Sequence, residues 1–264
     1  MSEAKRPVPP PIPSATILLL REEPGPLEVF MVQRHHAVDF ASSALVFPGG
    51  KVDPSDHDPD LHARCAGAAS LEPAALALRI AAVRETFEEA GVLLARPQGS
   101  GALLPGARAG AIEARWRGAL NEDRTTIGAI AATEDLVLAL DALVAFAHWI
   151  TPELLPKRFD THFYLAAAPA GQAATHDGHE SVDSLWIAPA RALEEAARGR
   201  LSIPFPTRMQ LAKLARAHSV ADALDRARAA PVLPTVGRGA GGPVLRIPAE
   251  ADYDLVEAPI DELR

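Results

Sequence analysis

Three glutamates, Glu85, Glu88 and Glu89, stand at i, i+3 and i+4 in a stretch where Leu76, Ile80, Val83 and Phe87 also recur at helical spacing. A helix over residues 73–94 then has two faces: an apolar stripe that a core must cover, and a carboxylate face. Like charges at this spacing destabilise an isolated helix by roughly 0.2–0.5 kcal/mol per pair. On a folded surface, convergent carboxylates can instead hold a hard cation such as Mg²⁺ or Mn²⁺. Arg84 precedes them and can orient a carboxylate through its planar fork. Read alone, the pattern also fits a solvated acidic helix face. Ser70 is the N-cap candidate, Pro73 suits the first turn, and Gly91 lies near the end.

The surrounding pattern alternates strands and helices. Strands are expected at 15–20, 27–33, 44–47, 142–149, 159–166 and 185–187. Helices are expected at 109–120, 134–140, 189–198 and 207–229, and residues 51–72 read as an irregular excursion. Residues 1–14, with Pro7, Pro9, Pro10, Pro11 and Pro13, form an expected disordered arm, and no targeting segment is expected. A catalytic domain is expected over 15–230 with an insertion at about 57–72, followed by a Gly/Pro-rich surface tail over 231–264. The net charge of −8 argues against a nucleic-acid partner. The most apolar stretch, 136–150, is broken by Asp141 and His148, so no membrane partner is expected. The single cysteine, Cys65, excludes an intramolecular disulfide and fits a reducing, cytoplasmic setting.

The segment Arg84-Glu85-Thr86-Phe87-Glu88-Glu89-Ala90-Gly91-Val92 resembles the second half of the Nudix box, G-x5-E-x7-R-E-U-x-E-E-x-G-U, where U is a bulky aliphatic residue. Phe47-Pro48-Gly49-Gly50 resembles its lead-in, and Asp56 stands where the box has its first Glu. Two features depart from the box. Thr86 occupies a bulky-aliphatic position, and 27 residues separate Asp56 from Arg84 where the simple box has 7. The halves meet if the extra residues bulge outward, since lengthening a loop costs little. With Trp149-Ile150-Thr151-Pro152, Arg158-Phe159-Asp160-Thr161 and Trp186 through Leu214, the chain is similar over about residues 14–216 to the Nudix branch that includes peroxisomal coenzyme A diphosphatases.

The resemblance implies a Nudix α/β/α sandwich with a mixed sheet, a helical insertion and C-terminal helices. It implies a metal-dependent hydrolase of the diphosphate linkage in a nucleoside diphosphate derivative, with Mg²⁺ or Mn²⁺ as cofactor. Coenzyme A or an acyl-CoA leads as substrate, giving 3′,5′-ADP and a phosphopantetheine. NDP-sugars and dinucleotides such as NADH or ADP-ribose stay open, as does a non-catalytic nucleotide-binding module. By resemblance, Gly50, Glu85, Glu88 and Glu89 are metal-ligand candidates, and Arg84, Glu88 and Glu89 catalytic ones. A late-loop glutamate, Glu180, is the candidate base or further ligand, with Glu153 next in line, although a plain polar loop fits the same residues.

Other polar residues carry weaker signals. Arg34, in Arg34-His35-His36, can meet a substrate phosphate or simply end a strand. His176, His179 and Glu180 lack a third ligand at recognisable spacing for a separate metal site. Trp149, Trp186 and Phe163 read as core aromatics, and Cys65 as a bystander thiol.

Overall fold

The computed structural model describes residues 8–22, 25–34, 44–178, 181–227, 229–239 and 242–260, and of Arg34 the backbone alone. Strands β1 (Ile12–Arg21), β2 (Glu28–Arg34), β3 (Leu45–Val46) and β4 (Gly49–Lys51) come first. Helix α1 (Pro59–His62) precedes the long helix α2 (Pro73–Ala90). Then follow β5 (Ala95–Pro97), α3 (Gly106–Asn121), α4 (Ile127–Thr133), β6 (Leu136–Leu138), β7 (Val144–Ile150), β8 (Phe159–Ala167) and β9 (Ser181–Ile187). Helices α5 (Pro189–Ala197), α6 (Phe205–Leu214) and α7 (Val220–Arg226) lead into β10 (Pro231–Val232), β11 (Thr235–Gly239), β12 (Gly242–Arg246) and β13 (Glu257–Pro259).

Strand β1 sits at the centre because both its faces are apolar. Ala15, Ile17 and Leu19 point into one core and Leu18 and Leu20 into the other, all fully buried. It pairs in parallel with β8 along its whole length and antiparallel with β4 and β2 on its other edge. Antiparallel β7 and parallel β10 extend the sheet beyond β8, and β2 carries β9 and β3. The first core holds Tyr164 and Ala166 against Ile80, Val83 and Phe87 of α2; the second holds Phe163 and Leu165 with Ala192 of α5 and Leu211 of α6. The mixed sheet between helical layers is the expected α/β/α sandwich.

Several expected elements are redrawn. Helix α2 starts at Pro73 with Glu72 at the N-cap, not Ser70, and ends at Gly91, whose φ of 70° is the left-handed cap that glycine adopts without a Cβ penalty. Thr86 fits its aliphatic position because the hydroxyl donates to the Ala82 carbonyl at 2.7 Å, leaving no unpaired donor in a fully buried site. The excursion is ordered: the Asp53 side chain caps a 3₁₀ turn, α1 buries Leu61, and Cys65 bridges to Leu138. The helix expected at 134–140 lies upstream as α4, capped by Thr126; Asp135, with φ of 52°, separates it from β6. The helix expected over 207–229 breaks in two because Ser219 caps a new start, its hydroxyl accepting from the Asp222 amide.

The ends also differ from expectation. β1 begins at Ile12, inside the stretch read as a disordered arm. The segment after Pro231 is not a surface tail. β10 joins the main sheet, β11–β13 form a small sheet, and Leu245, Ile247, Ala251 and Tyr253 enter the second core.

Candidate active site

Helix α2 delivers its carboxylates to β4. A Cβ built on Gly50 would lie 2.3 Å from the Glu85 Oε1, so only glycine lets this carboxylate approach the strand. The Gly49 amide donates to Glu89 Oε2 at 2.9 Å. The two halves of the divided box therefore meet, and no residue of 57–70 lines the cleft beside them.

Arg84 ties the halves together with five hydrogen bonds. Its Nε and Nη2 donate to Asp56 Oδ1 and Oδ2 at 3.0 and 3.1 Å, and Nη2 also donates to the Lys51 carbonyl at 2.8 Å. Its Nη1 donates to Glu85 Oε1 and Glu88 Oε2, each at 2.9 Å. Asp56 is fully buried, and also accepts from the Asp53 amide at 2.8 Å. Asp56 thus closes its own 3₁₀ turn directly beneath the guanidinium. Burial pushes its carboxyl above the usual range even against the pull of Arg84.

One guanidinium does not offset this many carboxylates. Burial pushes the Glu88 carboxyl up to about 8; Arg84 pulls it down, and Glu85 and Asp56 add to the rise. A site with surplus negative charge and oxygen donors suits a hard divalent cation. The C-terminal turn of α2 is fixed from outside by α3, where Arg117 Nε and Asn121 Nδ2 donate to the Glu88 carbonyl at 2.9 and 3.4 Å.

These carboxylates line one end of an open cleft of about 1960 Å³. Its other walls include Lys51, Phe47 and Thr16, then Trp149, Lys157 and Phe163, and finally Pro204 to Arg208 at the start of α6. Trp149 and Phe163 are buried, as expected of core aromatics, yet both also line this cleft. The indole of Trp149 donates to the Tyr253 hydroxyl at 2.8 Å, which donates to Gln210 Oε1 at 2.8 Å. Nothing in the sequence pattern marked Tyr253, because its partner lies 104 residues away.

Glu180 and His179 lie outside the described residues, as does the side chain of Arg34. Glu153 is exposed in the turn after β7. His176 bonds through Nδ1 to the Ser184 hydroxyl. Trp186 is half-buried between Phe30 and the Arg21 guanidinium, 4.3 Å from its ring centre. Burial pushes the Cys65 thiol up to about 12, which disfavours the thiolate that a nucleophile needs.

Sequence reasoning missed a second polar cluster. Among the described residues, His148, Asp160 and His162 form the one group of three metal-ligating side chains whose ligand atoms all lie within 4.8 Å. Burial and the neighbouring His148 ring hold the His162 imidazole down at about 4. Two histidines in neighbouring strands with an aspartate at i−2 were visible; the register that pairs them was not.

The model of the NUDT19 Nudix domain matches residues 61–214. The chain belongs to this Nudix family. The matched span starts after Gly50 and Asp56, which meet it through the contacts of Glu85 and Arg84. Acyl-coenzyme A diphosphatase NUDT19 of Gallus gallus is 29% identical over 76% of this chain and 66% of its own length. The Homo sapiens protein of the same name is 34% identical over 57% of this chain and 42% of its own. This chain therefore spans less than two thirds of the length of these relatives. A crystal structure of a NUDIX hydrolase from Alicyclobacillus acidocaldarius superposes with a TM-score of 0.66 at 24% identity, covering 84% of this chain and 99% of that one, and shows the same fold. Among the described residues no helix is long and apolar enough to cross a membrane.

Proposed function

We propose that this chain is a divalent-metal-dependent diphosphatase that cleaves the diphosphate linkage of coenzyme A or an acyl-CoA, releasing 3′,5′-ADP and a phosphopantetheine. The observation that carries the reading is the junction of the two box halves, with Glu85 against Gly50, Glu89 on the Gly49 amide and Arg84 spanning Asp56, Glu85 and Glu88. The names of the curated relatives and the size of the cleft, about 1960 Å³, support the substrate class.

In this reading Glu85, Glu88, Glu89 and the Gly50 carbonyl hold Mg²⁺ or Mn²⁺, and the ions, when bound, supply positive charge to the diphosphate oxygens. Arg84 acts as a positioning residue rather than a catalytic one: all its donors are engaged, and it fixes the carboxylates. Lys51 and Lys157 on the cleft wall supply cations for phosphate oxygens, and Trp149 and Phe163 supply apolar surface for the rest of the substrate. Glu180 takes the proton from the attacking water. The setting is the reducing cytoplasm.

A metal-titrated assay of product release against coenzyme A, acyl-CoA, NDP-sugars and dinucleotides tests the reading. Metal-dependent release of 3′,5′-ADP with the highest kcat/KM for the CoA compounds supports it; a preference for NDP-sugars or dinucleotides overturns the substrate, and no turnover with any of them overturns the activity. Glu180→Gln should lower kcat by about 10²–10⁴-fold, as removing a positioned base does. A loss below about threefold assigns that loop to the surface.

A further inference from the structure

His148 on β7 is the direct cross-strand partner of His162 on β8. Asp160 lies two residues before His162 on the same strand, hence on the same face. That face is the one turned away from the substrate side: the alternate residues Phe159, Thr161 and Phe163 line the cleft, whereas Tyr164, next in step with His162, enters the core beneath α2. The backbone register alone therefore gathers two imidazoles and a carboxylate at one spot.

The side chains complete the arrangement. The two imidazoles stack with ring centres 3.9 Å apart and planes 23° from parallel. The Nε2 atoms of both turn toward Asp160 Oδ1: His148 makes a short hydrogen bond to it, and His162 lies 3.8 Å away. All three ligand atoms fall within 4.8 Å of one another. The side chains keep 18%, 32% and 30% of their exposure for His148, Asp160 and His162, so an ion can reach them although the strands that carry them are interior to the sheet. Arg79 borders this face above the Tyr164 ring, but its Nη1 is engaged with the Leu140 and Leu143 carbonyls.

We propose that His148, Asp160 and His162 form a second metal site, for Zn²⁺, on the face of β8 opposite the cleft. Two imidazoles and one carboxylate are the donor set of open zinc sites, with a remaining position for water. Imidazole nitrogen disfavours Mg²⁺, which keeps oxygen ligands, so the two sites sort their ions by donor type. By register His162 pairs with Ala15 and Ala15 with Gly50, which sets the second site two strands from β4. At the usual spacing that is roughly 10 Å between backbones, too far for the same ion.

The test is Zn²⁺ and Co²⁺ titration of the full chain in saturating Mg²⁺, which occupies the oxygen site. The expected result is one Co²⁺ with visible ligand-field absorption, displaced by Zn²⁺, and a thermal midpoint that Zn²⁺ raises. His162→Ala and His148→Ala should each weaken Zn²⁺ binding by at least about 100-fold and leave Mg²⁺-dependent turnover unchanged. Asp160→Asn, nearly isosteric, guards against misfolding and should lose the Zn²⁺-induced rise in midpoint. Glu89→Gln should leave the Co²⁺ spectrum intact. Equal Zn²⁺ affinity in wild type and the histidine variants, or a Co²⁺ spectrum lost only with Glu89→Gln, would make the cluster a hydrogen-bonded cross-strand group and overturn the proposal.

Discussion

On one side of the cleft, Arg84 makes its five hydrogen bonds to groups between Lys51 and Glu88. On the other side, Trp149 is held by Tyr253, which reaches it from the far end of the chain and leans in turn on Gln210. The first wall is built of charges clustered along 38 consecutive residues; the second is built of neutral hydrogen bonds over long separations. Charges that must meet an ion tolerate few residue types at few spacings, so they leave a readable motif. A wall that shapes a substrate needs only a packed surface and can be drawn from any part of the chain.

Three variants test that contrast. The largest effect belongs to the carboxylate wall: Glu89→Gln should lower kcat by at least about 10²-fold, in the range seen when charge stabilisation is removed, with little change in melting temperature. Steady-state kinetics beside a thermal melt checks it, and near wild-type turnover would remove Glu89 from the site. Asp56→Ala comes next. It strands the buried Arg84 without its bidentate partner and should cost about 3–5 kcal/mol by denaturant unfolding. A cost below about 1 kcal/mol would mean that the two box halves are not joined through this pair. The smallest effect belongs to the neutral wall. Tyr253→Phe removes the acceptor for the Trp149 indole and the donor to Gln210, and should cost about 1–3 kcal/mol. Trp149 then loses its anchor, so KM for the substrate should rise more than kcat falls. A variant in which kcat falls alone would place Tyr253 with the reacting groups instead.

The same contrast explains what was legible in the sequence. Helix α2 was readable from Leu76, Ile80, Val83 and Phe87, and its carboxylate face from Glu85, Glu88 and Glu89, because both patterns are local and periodic. Asp56 was readable as a box residue only by position; its contact with Arg84 depended on how the intervening segment folds. The strand β6 was misread as helix because Leu136, Val137 and Leu138 form an apolar run too short to carry a period, and the positive φ of Asp135 leaves no mark in composition. The segment from Pro231 onward was misread as a tail because its strands are short and punctuated by glycine and proline, while its anchors, Leu245 and Tyr253, are isolated apolar residues. The His148, Asp160 and His162 cluster was hidden for the same reason: it exists only once β7 and β8 are in register.

If the α2 carboxylates bind the metal, Glu88 is the residue that reports it. With its carboxyl raised to about 8 in the metal-free protein, from an ordinary value of 4.5, it holds a proton through the neutral range. In the metal-free state the native form thus binds more protons than the unfolded chain between about 4.5 and 8, and the associated stability is present below that window and lost as pH rises through it. Metal must displace this proton, so binding releases it and strengthens with pH. The measurement is Mn²⁺ affinity, read by electron paramagnetic resonance of the free ion, from pH 6 to pH 9 in wild type and Glu88→Gln, at pH values spanning about 8. The expected result is that wild-type affinity climbs by up to about tenfold per pH unit and levels off above about 8, while Glu88→Gln binds more weakly and without that rise. Equal Mn²⁺ affinity in the two proteins at every pH would contradict it.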